Sequence, residues 1–184
     1  PAGMLNAIGL QGVGVHRFIR EYLPQLRNSG AVTIVNICGT TIEEYEELTR
    51  ILSDVEGVAA IELNISCPNI KAGGITFGCN LAGTHDVVQA AKRATHLPVI
   101  PKLTPNVTDI ASFARVAEEA GADAVSLVNT FLAMSIDVET RRSRLANVVG
   151  GLSGPAIRPI AVRMVYECHQ AVSIPIIGMG GITT

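Results

Sequence analysis

A chain of 184 residues can bury a sizeable core, and 48% hydrophobic against 16% charged residues suits a helix-covered, mostly buried sheet rather than a disordered or surface-rich protein. The net charge of −2 gives no electrostatic reason to bind nucleic acid or a membrane surface; no apolar run reaches transmembrane length, and no signal peptide is visible. Without such a run or leader the cytoplasm is the expected compartment; Cys38, Cys67, Cys79 and Cys168 lack CxxC spacing, and His16, His85, His96 and His169 form no HxxxH or HExxH group, so no metal site is expected.

In chain order, Met4 to Val13 is punctuated by glycine and too irregular for a helix; Gly9 allows close backbone approach to a ligand. Val15 to Leu26 predicts an amphipathic helix stopped by Asn28-Ser29-Gly30. Ala31 to Val35 predicts a strand closed by Asn36, and Thr40 or Thr41 caps a helix from Ile42 to Leu52 with a glutamate three residues on. Val58 to Leu63 is the next strand. It changes character abruptly into Asn64-Ile65-Ser66-Cys67-Pro68-Asn69, which gathers amides, a hydroxyl and a thiol, and Pro68 favours an extended Cys67. Gly73 and Gly74 let the following loop bend over a pocket.

His85 to Ala94 predicts a helix, and Pro98 to Leu103 a strand that ends at Lys102. Thr108 or Asp109 caps a helix over Ile110 to Ala120, Gly121 stops it, and Ala124 to Val128 is a strand ending in Asn129 and Thr130. Two short extended pieces, Ser135 to Val138 and Leu145 to Val148, flank a basic, solvated turn with Arg141, Arg142 and Arg144. Ser153-Gly154-Pro155 opens a helix to about Ala171, and Ile174 to Ile177 precedes Gly178-Met179-Gly180-Gly181. Strand and helix thus alternate about five times at roughly thirty-residue spacing, which argues for parallel βα units. No GxGxxG follows the first strand and the glycine-rich turn comes late, so the expected fold is α/β, a (β/α)8 TIM barrel, here about five βα units. The start at Pro1 and the stop after Gly180-Gly181 predict one barrel domain over 1–184, a fragment truncated at both ends.

Barrel strands converge at their carboxyl ends. Those ends read Asn36, Asn64, Lys102, Asn129 with Thr130, and Gly178 to Gly181: amides and one ammonium, without the carboxylates of a glycosidase or a metal enzyme. Amides donate and accept, which matches the imide edge of a flavin or a pyrimidine, and a lysine offsets an anionic ring. Glu62 shares the strand parity of Asn64 and needs a partner, for which Lys102 is expected within about 6 Å. Ser153-Gly154 and Gly180-Gly181 offer backbone N–H groups suited to a phosphate.

The stretches Asn6-Ala7-Ile8-Gly9-Leu10, Glu62-Leu63-Asn64-Ile65-Ser66-Cys67-Pro68-Asn69, Lys102-Leu103-Thr104-Pro105-Asn106, Gly150-Gly151-Leu152-Ser153-Gly154-Pro155 and Ile177-Gly178-Met179-Gly180-Gly181 closely resemble the class I dihydroorotate dehydrogenases, FMN-containing (β/α)8 barrels of pyrimidine synthesis. Class II enzymes carry serine where Cys67 stands, and the loop from Lys71 to Gly78 resembles the NAD-linked B type. The resemblance implies that Cys67 is the catalytic base, taking the C5 proton of dihydroorotate while the C6 hydride passes to FMN. It implies substrate contacts at Asn6, Ala7, Ile8, Gly9, Leu10, Asn64, Asn69, Asn129 and Thr130, and flavin contacts at Asn36, Asn64, Lys102, Val128, Gly154, Gly180 and Gly181. Lys102 would stabilise the reduced ring. A partner subunit carrying FAD and a 2Fe-2S cluster, NAD as final acceptor, and a homodimer within a heterotetramer are further implications. The family's first strand, with a lysine-threonine pair, and its final strand would lie outside this chain. Rival readings are a related pyrimidine-ring oxidoreductase similar to the domain in dihydropyrimidine dehydrogenase, a barrel aldolase with Lys102 as Schiff base, and a non-catalytic barrel that binds a phosphorylated ligand.

Overall fold

The structure, a computed structural model, describes residues 2–66 and 77–182. It opens on Met4–Asn6 (β1), followed by a continuous helical stretch: Val15–Arg17 (α1), a π-type turn over Phe18–Tyr22, and Leu23–Asn28 (α2). Next come Ile34–Ile37 (β2), Ile42–Ser53 (α3), Ala60–Leu63 (β3), a 3-10 turn over Phe77–Cys79, Leu81–Arg93 (α4), Val99–Pro101 (β4), Ile110–Glu119 (α5) and Val125–Leu127 (β5). Four short strands follow, Phe131–Met134 (β6), Ile136–Asp137 (β7), Arg142–Ser143 (β8) and Val149–Ser153 (β9). A 3-10 turn over Pro155–Ile157 leads into Arg158–His169 (α6), and Ile176–Gly178 (β10) closes the series.

β2, β3 and β4 pair parallel in that order, β5 pairs parallel with β10, and a parallel bridge between Lys102 and Ser126 joins the two groups. Each parallel strand therefore lies beside the next one in the chain. That singly wound order differs from a doubly wound sheet, where the order reverses at a switch point. The strands alternate side chains between two faces. Ile61, Leu63, Val99, Leu103, Val125 and Leu127 point toward α3, α4, α5 and α6, and join Leu52, Val87, Val88, Phe113, Ala114, Ala161 and Met164 in the main core. Each fully buried valine, leucine or isoleucine among them contributes roughly 1.5–3 kcal/mol. The other face carries a small apolar layer, Ala60, Ile100 and Ala124, and beyond it Glu62, Asn64, Lys102 and Ser126.

A second, antiparallel sheet of order β1-β9-β6 stands beside Asn129 and Thr130, and β7 pairs with β8 as a hairpin. Met4 to Val13 contains a strand because Met4 pairs with Ser153 and Asn6 with Gly151, partners too distant in sequence to be visible locally. Leu145 to Val148 is not a strand: Val148 has φ 64, and the extended segment begins at Val149. Ser153 ends that strand rather than opening a helix, and Gly154, at φ 96, makes the turn. α4 begins at Leu81, ahead of the expected His85, because Asn80 caps it by accepting from the Gly83 N–H at 2.9 Å, offsetting the weak helix propensity of Gly83. The expected caps Thr41 and Asp109 hold, and Glu44 reaches back to the Thr40 N–H at 2.5 Å.

Candidate functional site

Asn64 directly follows β3 and is buried; the hydroxyl of the fully buried Tyr45 on α3 donates to its carbonyl oxygen at 2.6 Å, so a helix pins the backbone from below while the side chain faces away. Asn129 Nδ2 lies 3.4 Å from Asn64 Oδ1, and Asn129 Oδ1 accepts from the Thr130 N–H at 2.8 Å, which orients the second amide. Above them the antiparallel sheet supplies Asn6, whose Nδ2 donates to the Gly151 carbonyl at 3.2 Å. Gly151 is required there, because a Cβ would collide with the Thr130 hydroxyl.

These groups enclose a cavity of about 330 Å³. The sequence-predicted substrate contacts Asn6, Ala7, Ile8, Gly9, Leu10, Asn64, Asn129 and Thr130 all line it. Cys67 and Asn69 lie outside the described residues; Ser66, the described residue before them, lines the same cavity and donates its hydroxyl to the Lys102 carbonyl at 2.8 Å. Sequence reasoning missed Asn106, Leu132, Asn147 and Val149 as lining residues and held Ser66, Gly150 and Gly151 only as parts of motifs. Asn106 stands in the motif after Lys102, and its side chain joins two segments: Nδ2 donates to Thr104 Oγ1 at 3.1 Å and the Thr130 carbonyl at 3.0 Å, and Oδ1 accepts from the Leu132 N–H at 2.9 Å. Its proximity to Pro105 and Thr104 was the available signal. Asn147 carried none, since its position follows from the fold of the 135–149 connection.

The expected flavin contacts fall into two groups besides Asn64. Asn36 and Lys102 meet around Glu62: Asn36 Nδ2 donates to Glu62 Oε2 at 2.5 Å, Ser126 Oγ donates to Glu62 Oε1 at 2.6 Å, and the Lys102 ammonium sits 3.8 Å from Oε2. The expected ion pair is therefore present, with side chains 14% and 21% exposed for Glu62 and Lys102. Asn36 is the third residue of β2 rather than its closing residue. Val128, Gly154, Gly180 and Gly181 form the second group, where β10 ends against the turn that leads into α6. A Cβ at 180 would lie 2.9 Å from that of Ala161 and 3.1 Å from Val128 Cγ2, and one at 181 would overlap the Gly154 carbonyl and lie 3.1 Å from the Arg158 nitrogen. Glycine thus leaves that turn free of side chains.

Among the described cysteines, Cys168 is fully buried on α6, and burial pushes its thiol up to about 12, which removes it as a proton acceptor near neutral pH. Cys38 and Cys79 are exposed. The basic turn is exposed as expected, with Arg144 3.7 Å from Asp137.

A family model described as "Dihydroorotate dehydrogenase" matches residues 1–184. Among curated proteins, the chain is 56% identical over 184 residues to "Dihydroorotate dehydrogenase B (NAD(+)), catalytic subunit" of Desulforudis audaxviator, covering 100% of this chain and 60% of that protein. The proteins of the same name from Citrifermentans bemidjiense and Porphyromonas gingivalis are 54% identical, over 99% of this chain, and 52% identical, over 100% of it; each is covered over 60% of its own length. A solved carboxyl transferase domain of Rhizobium etli pyruvate carboxylase, with pyruvate, aligns with 56% of this chain and 18% of its own at 20% identity and a TM-score of 0.44, too slight a likeness to weigh. The chain spans about 60% of the length of its curated relatives, and by the match along all 184 residues it belongs to the dihydroorotate dehydrogenase family.

Proposed function

We propose that this chain carries the dihydroorotate-oxidising site of a class I, NAD-linked dihydroorotate dehydrogenase of pyrimidine biosynthesis, with its parallel strands forming an arc of a (β/α)8 barrel. The observation that carries the reading is the cavity of about 330 Å³, lined by Asn6 to Leu10, Asn64, Asn129 and Thr130 together. Its size suits a six-membered ring with a carboxylate, and its amides can donate and accept along the imide edge of that ring. The resemblance at Asn64-Ile65-Ser66-Cys67-Pro68-Asn69 assigns Cys67 as base and Asn69 as a substrate contact.

Flavin mononucleotide is the proposed cofactor. The residues fit it: Asn36 and Lys102 offer an amide and a cation on the strand face below Asn64, and the side-chain-free turn at Gly154, Gly180 and Gly181 leaves the start of α6 open for a phosphate. A bound flavin supplies the two-electron acceptor for the C6 hydride of dihydroorotate. The chain's own residues do the rest. The amides of Asn64 and Asn129 orient the pyrimidine ring, the 6–10 segment covers it from the antiparallel sheet, and Cys67 takes the C5 proton, so that the C5–H electron pair becomes the second (π) bond of the C5=C6 double bond as the hydride leaves C6. An electron-transfer subunit with FAD and a 2Fe-2S cluster, passing electrons to NAD, a homodimer at the centre of a heterotetramer, and a cytoplasmic location complete the proposal. The phrase "catalytic subunit" in the relatives' names supports a partner.

The test is an anaerobic absorption spectrum of the purified full-length protein. Flavin bands that bleach on adding dihydroorotate are expected; a colourless protein, or bands indifferent to dihydroorotate, would refute the proposal. Cys67→Ala should keep the flavin and lose about 10²- to 10⁴-fold in turnover, the usual range for a positioned base. Since an ordinary thiol titrates near 8.5, wild-type kcat should climb toward mildly alkaline pH. Turnover in Cys67→Ala equal to wild type would remove the assignment.

A further inference from the structure

Glu62 lies at the middle of β3, directly opposite Asn36 on β2 and Ile100 on β4, on the face that carries Asn64 and Lys102. Its two oxygens are occupied from three sides: Oε1 by the Ser126 hydroxyl at 2.6 Å, Oε2 by the Asn36 amide at 2.5 Å, with the Lys102 ammonium 3.8 Å from Oε2. A carboxylate only accepts hydrogen bonds, so it decides which way the Asn36 amide is turned. The NH2 group faces Glu62, and the carbonyl oxygen is left for whatever lies on the sheet. The same carboxylate offsets the Lys102 charge where both side chains are largely shielded from solvent. An incoming ring then meets one acceptor and half of a neutral ion pair, rather than two donors and a bare cation.

We propose that Glu62 is a positioning residue for the flavin: it turns the Asn36 carbonyl toward the ring edge and, by offsetting Lys102, sets how strongly the reduced, anionic ring is favoured over the oxidised one. This rests on the flavin-enzyme reading above. A carboxylate that merely satisfied Ser126 or filled space on β3 could be replaced by glutamine with no effect on the flavin, because glutamine has the same shape and keeps an acceptor oxygen. A carboxylate that tempers Lys102 could not.

The experiment uses the full-length protein with bound flavin and measures its two-electron midpoint potential by equilibration with a reference dye, together with flavin content. Glu62→Gln removes the charge and should raise the preference for the reduced ring about tenfold, about 30 mV for a two-electron couple. Glu62→Asp keeps the charge and should remain much closer to wild type. Where Glu62→Gln yields too little folded protein, Glu62→Ala against Glu62→Asp reads the same contrast. An unchanged potential in Glu62→Gln, or equal shifts in the charged and uncharged variants, would overturn the inference. Failure of the underlying reading looks different: the wild-type protein would hold no flavin, or a flavin that dihydroorotate does not bleach.

Discussion

Asn106 shows how one side chain can serve both wall and scaffold. Its amide bonds Thr104, the Thr130 carbonyl and the Leu132 N–H, tying the segment after β4 to the start of β6 across the cavity. Removing it leaves those groups to find water, which at this exposed position costs about 1 kcal/mol. Asn106→Ala should lower Tm slightly and raise KM for dihydroorotate more than it lowers kcat, because ring orientation is lost while the proposed base stays. Steady-state kinetics beside a melting curve separate the two effects; an unchanged KM would reduce Asn106 to a scaffold residue. Glu62, Asn64 and Lys102 were legible in the sequence, since strand parity alone puts Glu62 and Asn64 on one face and the apolar pattern says which face is packed. Ser126 was not legible as their partner: it is an unremarkable serine in an apolar strand, and what makes it a donor to Glu62 is the register of β4 against β5.

At the scale of elements, helix ends carry much of the local specification. Asp109 accepts from the Ser112 N–H at 3.2 Å and hydroxyl at 2.5 Å at the start of α5. At the other end of that helix Glu118 accepts from the Ser173 hydroxyl, its N–H at 2.9 Å and the Ile174 N–H at 3.2 Å, clamping α5 to the turn before β10. The Ser173 hydrogen bonds hold the Glu118 carboxyl below its ordinary value of 4.5, and the Ser112 bonds hold Asp109 below 3.8. A depressed folded value means that the stabilisation is complete above the unfolded value and disappears as pH falls through the folded one. Glu118→Gln should therefore be less stable than wild type at pH 7 by at most about 1 kcal/mol, after allowance for solvent screening, and the difference should shrink in acid, as pH falls through the lowered carboxyl value. Urea titrations at neutral and acid pH test this; a gap that persists in acid would show that packing, not charge, holds the clamp. The Asp109 cap could be read from sequence because its partner is three residues away. The Glu118 clamp spans 55 residues and could not.

On the scale of the whole molecule, the cavity lies between two sheets of different origin, Asn64 following the parallel strands and Asn6, Gly150 and Gly151 belonging to the antiparallel one. A ligand held by both should oppose their separation. Orotate at a hundredfold excess over its Kd should stabilise the full-length protein by about 2.7 kcal/mol, visible as a rise in Tm of several degrees; no shift at saturating orotate would argue against a pyrimidine in this cavity. No described helix is long and apolar enough to cross a membrane. The parallel strands, the helices that follow them and the caps of α3 and α5 could be read from the sequence, because those depend on side-chain periodicity and on partners within a few residues. The sequence also displayed the family motifs and most residues that line the cavity. The antiparallel sheet and the hydrogen bonds of Asn36 and Ser126 to Glu62 came only with the folded chain, whereas the Glu62–Lys102 pair followed from strand parity. Met4 meets Ser153, and Glu62 meets Ser126, through backbone pairings between distant segments, and single-sequence periodicity carries no information about such register.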